Sequence, residues 1–141
     1  MRITFKQLNE SFNALARLVK VEFPKDSHKL AYKLSRIWKS AKSEIEEMQA
    51  GLRNLAQRHG ITPGTPLHVL DPEKREDYSW NERQFLKDTD TEIWGDPFLW
   101  SELRDHVDLT AADMADLDWL IIFDIEDETR SEPEKADSAQ V

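Results

Sequence analysis

The sequence predicts a mainly α protein: a long antiparallel helical hairpin with short C-terminal helices and a small two-stranded β ribbon packed on it. Three observations carry this. Leu30, Leu34, Ile37, Ala41, Ile45, Met48, Leu52 and Leu55 recur at spacings of three and four, which places them in one narrow sector of a helix. No proline interrupts the chain between Pro24 and Pro63. A shorter stripe, Phe5, Leu8, Phe12, Leu15 and Val19, precedes the seam across a proline turn.

The first helix starts at Thr4. Gln7 three residues on supplies the second half of a capping box, and Phe23-Pro24 marks the stop, because a residue before proline is pushed out of the α region. Asp26 or Ser27 is a fair cap for the second helix, and His59-Gly60 is a fair end. That helix of about 32 residues would be about 48 Å long. Gly51 interrupts it at a cost of roughly 1 kcal/mol against alanine. The first helix is half as long and covers the first half of the seam. The second half, Ile45 to Leu55, needs the C-terminal segments or another chain to cover it.

Beyond residue 60 the signals are shorter. ITPGTP (61–66) reads as a loop. LHVL (67–70) and TEIW (91–94) read as short strands. Ser79 with Glu82 reads as a capping box for a short helix carrying Phe85 and Leu86. Gly95-Asp96-Pro97 is a turn, and FLWSELRD supplies one or two helical turns. Thr110 caps LTAADMADLDWLI, where Met114, Leu117 and Ile121 share a face; 121–125 frays toward a strand. The chain reads as one domain over 1–126, divided into the hairpin (1–60) and an acidic Trp-rich part (67–126). An acidic tail over 127–141 is too polar to pack.

Composition narrows the chemistry. The 141 residues contain no cysteine, so disulfides and thiolate metal sites are excluded. The start has no apolar leader region and no apolar run is long enough to span a bilayer. The expected location is the cytoplasm, that of a host cell if the protein is viral. His28, His59, His68 and His106 share no metal-ligand spacing. DTDTEIWGD (88–96) fails as a calcium loop, with Ile93 where glycine is needed and Leu99 where a bidentate glutamate is needed. Phosphate-cradling glycine motifs and a nucleophile elbow are missing. The expectation is a non-enzyme with no cofactor.

Charge is uneven. The net charge is −9, yet residues 1–60 carry +6 and residues 61–141 carry −15. The simplest reading is attraction between the two halves, with the basic stripe Lys29, Lys33 and Arg36 either solvated or neutralised by the acidic half. Direct nucleic-acid binding by that stripe is disfavoured, because the net charge opposes a polyanion at long range. Five tryptophans are many for this length. Trp80, Trp94, Trp100 and Trp119 lie in the acidic half, where they serve either to close a small core or to anchor a protein partner.

One resemblance adds to this. Residues 3–60, with Ala14-Leu15-Ala16-Arg17-Leu18, Phe23-Pro24, Tyr32-Lys33-Leu34 and Arg58-His59-Gly60, resemble the N-terminal part of small helical accessory proteins of tailed phages and prophages. LTAADMADLDWLI resembles their closing helix. The Trp-rich stretch 78–100 and the acidic tail lie outside that pattern. The resemblance implies an accessory factor without assigned chemistry, an adaptor or chaperone in virion assembly or a modulator of a host protein. The expected contacts to that host or virion protein are Trp80, Trp94, Trp100 and Trp119, together with Ile45, Met48 and Leu52 on the uncovered seam. The seam would also serve a homo-oligomer. The alternative is an acidic mimic of nucleic acid that occupies the basic groove of a host or defence enzyme.

Overall fold

Thr4 opens the first helix as its sequence predicts. Its hydroxyl accepts from the Gln7 amide at 3.1 Å, while the Gln7 side-chain carbonyl accepts from the Thr4 amide at 2.9 Å. This reciprocal cap satisfies orphan N–H groups of α1 (Phe5–Leu18). A computed structural model describes residues 1–62, 64, 66 and 70–124. The expected strand at 67–70 falls largely outside them, and the acidic tail 127–141 wholly so.

α1 ends at Leu18, before the expected stop at Phe23-Pro24. The Lys20 and Val21 amides reach back only three residues, to Arg17 and Leu18, and tighten the last turn into 3-10 geometry. Val19, Val21 and Phe23 then all pack against the core, a period of two that a helix cannot supply. A 3-10 turn (Lys25–Ser27) leads into α2 (His28–Arg58), 31 residues long. α2 stops where the sequence says. The Gly60 amide returns to Gln57 and the Ile61 amide to Ala56, with Gly60 at φ 71°. This is a Schellman closure, and glycine takes its left-handed residue without Cβ strain.

α1 and α2 form the antiparallel hairpin. Midway along α1, Phe12 stacks on Trp38, ring centres 5.1 Å apart. At the start of α1, Phe5 meets Phe85 at 5.5 Å, and Phe85 lies over Gly51. Phe85 belongs to α3 (Pro72–Asp88), which begins about two turns before the predicted cap at Ser79. The start is Asp71-Pro72, with Pro72 at the first helical position and Glu73 in the first turn. Proline suits that position because its fixed φ is helical and its missing N–H has no partner there anyway. With no breaker before Thr89, Ser79 and Glu82 simply lie mid-helix.

α3 runs back along α2, Tyr78 meeting His59 and Phe85 meeting Gly51. It thereby covers the second half of the seam. Ile45 and Met48 are buried, and Leu52 packs against the same core. The expectation of an uncovered seam is therefore corrected: this chain's own third helix fills it.

Two small strand pairs complete the fold. β1 (Arg2–Thr4) runs antiparallel to β2 (Asp90–Glu92), with Ile3 opposite Thr91. β2 begins one residue before the TEIW expectation and ends two residues short of its end, and its partner β1 carries no alternation that would announce it. β3 (Phe98–Leu99) runs parallel to β4 (Ile121–Ile122), Phe98 opposite Ile121. Parallel strands need a crossover; α4 (Trp100–Leu103) and α5 (Ala111–Asp116) supply it. Thr110 and Asp113 cap α5 reciprocally, but α5 is shorter than the predicted helix, and Leu117 and Leu120 are buried in the turn after it. One apolar cluster joins Leu8, Leu15 and Ile37 of the first half to Phe98, Leu103 and Leu117 of the second. Among the described residues, no helix is long and apolar enough to cross a membrane.

Candidate interaction surface

The tryptophans divide by what their edges meet. The Trp119 ring N–H donates to the buried Ser11 hydroxyl at 3.0 Å, which in turn donates to the Gln7 carbonyl at 2.8 Å. Trp100 packs against the core and lies 5.6 Å from the Phe123 ring. These two indoles pack against the core and are only partly open to solvent. Trp80 and Trp94 stay open, at 55% and 43% exposure. Of the seven expected contact residues only these two remain outward, since Ile45, Met48 and Leu52 lie under the hairpin and α3.

Trp94 is held from two sides. Its backbone N–H donates to the Ser40 hydroxyl of α2 at 2.9 Å. Gly95 follows at φ 94°, and a Cβ there would stand 3.5 Å from Ile37. Its indole lies against Arg36, whose guanidinium carbon is 4.6 Å from the ring centre. Arg36 also donates to the Tyr32 hydroxyl at 3.1 Å, with the Tyr32 ring 5.9 Å away. Such exposed cation–π contacts contribute about 0.5–1 kcal/mol each, enough to hold a side chain in place. One turn back on α2, the Lys33 ammonium donates to the Pro97 carbonyl at 3.1 Å and stands 4.4 Å from the Phe98 ring centre. Lys29 is exposed on the same helix. Beyond Pro97 the strand pair turns Phe98 and Ile121 inward and leaves Leu99 and Ile122 exposed side by side.

The basic stripe and the acidic half do not neutralise each other here. Among the described residues, Lys29, Lys33 and Arg36 enter no salt bridge. The halves meet elsewhere, at Arg2–Asp90 (3.0 Å) and Arg17–Asp113. Burial tends to raise the Asp113 carboxyl, but hydrogen bonds from the Thr110 amide and Arg17, with the Arg17 charge, outweigh it and hold it below its ordinary value of 3.8. The folded value is below the unfolded one, so this stabilisation is present above the ordinary carboxylate range. It is lost as pH falls through the ordinary carboxylate range toward the lower folded value. Asp113→Asn should flatten the acid limb of a stability-against-pH curve, measured as urea midpoints; an unchanged limb would show the Arg17 contact to be inconsequential.

Trp80 belongs to a second feature, a cleft of about 500 Å3 between α1 and α3, lined by Lys6, Glu10, Arg83 and Lys87 among others. Its Lys6 and Glu10 already face each other at 3.9 Å. Near the end of α2, His59 stands edge-on to Tyr78 at 5.7 Å, with Asn81 at 3.2 Å and Asp77 at 3.9 Å. Burial and the neighbouring Glu82 carboxylate push the Tyr78 phenol up to about 12. That phenol stays protonated near neutral pH. Among the described residues, no three of His, Asp and Glu converge to hold a metal ion.

No protein-family model, curated protein or solved structure matches the chain.

Proposed function

We propose that the protein is a non-enzymatic binding factor that engages another protein through the Tyr32–Arg36–Trp94 face. The single observation behind this is composition at one spot. Trp, Tyr and Arg are the residue types that dominate protein-interface anchors, and here they touch one another on the outside of the fold. Their positions are fixed in advance by Ser40 and by the turn at Gly95, which lowers the ordering cost of binding. The phage-type role, assembly adaptor or modulator of a host protein, is part of this reading and rests on the sequence resemblance.

The test is capture from a lysate of the source organism at low and high salt, with two variants. Trp94→Ala should weaken capture of a stoichiometric partner by about 30-fold or more, a loss of ~2 kcal/mol. Trp80→Ala, in the cleft between α1 and α3, should leave it within a few-fold. Equal loss in both variants, or none in either, would refute the assignment of this face. The acidic-mimic reading has its own observation: between residues 102 and 118, Glu102, Asp105, Asp108 and Asp118 are all exposed. Capture that vanishes at high salt and ignores Trp94→Ala would favour it.

A further inference from the structure

The bases of the 3-10 turn and the first half of α2 are left without acidic partners among the described residues. Lys25, Lys29, Lys33, Arg36 and Lys39 enter no salt bridge among the described residues, on a chain whose net charge is −9. Carboxylates elsewhere do find bases, as Asp90 finds Arg2 and Asp113 finds Arg17. The bases from Lys25 to Lys39 recur at spacings of three and four and so share one face with the exposed rings of Tyr32 and Trp94, with the exposed Asp96 two residues on from Trp94. Such a face fits an acidic peptide segment by charge.

An acidic segment is attached close by. Asp124, two residues past β4, accepts from the Ser101 amide at 2.9 Å and from its hydroxyl at 2.5 Å. Those bonds hold the Asp124 carboxyl below its ordinary range. β4 pairs with β3, and Lys33 touches the start of β3 at Pro97 and Phe98. Ser101, which Asp124 binds, is four residues on from Pro97, so Asp124 lies within roughly 16 Å of the Lys33 contact. Residues 125–141 then carry Glu126, Asp127, Glu128, Glu132, Glu134 and Asp137 against Arg130 and Lys135. At about 3.3 Å per extended residue, Glu128 lies up to about 13 Å from Asp124 and Glu134 up to about 33 Å. Lys29, Lys33 and Arg36 occupy two turns of helix, about 11 Å.

We infer that the acidic segment 125–141 docks in cis on the Lys29–Lys33–Arg36–Trp94 face and competes there with any outside partner. Tethering supplies an effective concentration in the millimolar range, so a set of individually weak surface ion pairs suffices. A nucleic-acid backbone offers the same charge, but the net charge opposes its approach and it has no tether. This inference goes beyond the protein-binding reading. It requires no outside partner, and its test uses none, so each fails separately.

The experiment is carbodiimide cross-linking of the full-length protein, followed by peptide mapping. Intramolecular links from Glu126, Asp127 or Glu128 to Lys29, Lys33 or Lys39 are expected. They should disappear at about 1 M salt, where screening acts within ~3 Å. A full-length variant carrying E126Q, D127N, E128Q, E132Q, E134Q and D137N should keep its helical circular dichroism. In it, acetylation of Lys29, Lys33 and Lys39 should run several-fold faster. Links spread evenly over Lys6, Lys74 and Lys87, or unchanged lysine reactivity in the variant, would overturn the inference. Links between two molecules would overturn the cis arrangement and make a second copy the occupant.

Discussion

Gly51→Ala will destabilise the protein by up to about 2 kcal/mol, the reverse of the usual sign. In an exposed helix interior alanine is favoured over glycine by about 1 kcal/mol, and Gly51 sits deep inside α2. A Cβ at that position would stand 2.5 Å from the tip of the Phe85 ring and 3.1 and 3.3 Å from the adjacent ring carbons. Real Cβ atoms do not approach so closely, so the ring must move. It has little room, because Phe5 lies 5.5 Å from it. Overpacking of this kind costs about 1–3 kcal/mol, more than the helix propensity returns. Urea unfolding measures the sum. The double variant Gly51→Ala with Phe85→Leu separates the terms: the smaller side chain frees space, so the two changes together should cost less than their sum by roughly 1–2 kcal/mol. A stabilised Gly51→Ala protein would mean that α3 does not lie on α2.

This position shows what the sequence conveys and what it withholds. The glycine is visible as a weak point in a helix, and the seam around it is visible as period 3.6. That Phe85 needs the gap is a fact about two segments brought together, and no local pattern carries it. The same division runs through the fold. α2, the Thr4–Gln7 capping box, the cap at Thr110 and the stop at Gly60 are local events, set by neighbours in the chain, and each is legible. β1 and β2 are three residues each, too short for a period, and their pairing is a tertiary choice. The start of α3 was legible in Asp71-Pro72, a proline in the place where a first helical residue belongs; Ser79 and Glu82 offered a competing local cap that an uninterrupted helix overrides.

The candidate site divides in the same way. Composition marks tryptophan and the basic stripe as residues to watch. Which indole turns outward depends on distant groups: Trp119 finds Ser11 and Trp100 finds Phe123, while Trp94 finds a cation at the surface. Leu99 and Ile122 escape sequence reasoning because two residues of strand give no alternation to count. Had the pairing Phe98–Ile121 been known, period-two geometry would have placed their neighbours outward at once.

Phe98→Ala carries the largest expected loss, about 3–5 kcal/mol, set against the 5–15 kcal/mol typical of a whole domain. Phe98 is 0% exposed, its amide donates to the Leu120 carbonyl at 2.7 Å, and Lys33 covers its ring. A two-residue parallel pair has too few ladder bonds to hold itself together; the buried ring, with Leu103, Leu117 and Ile121 around it, holds it instead. Thermal unfolding should shift down by roughly 10–20 °C. The control lies one residue on. Leu99→Ser alters the outward face of the same strand and should stay within about 0.5 kcal/mol of the parent. Since strand side chains alternate, a loss at Leu99 equal to that at Phe98 would refute the register. The register in turn sets where Pro97 meets Lys33 and where Asp124 leaves the fold. Loss of partner capture by the Leu99→Ser protein, with its stability intact, would extend the binding face from Trp94 onto the strand pair, because the fold beneath it would be unchanged.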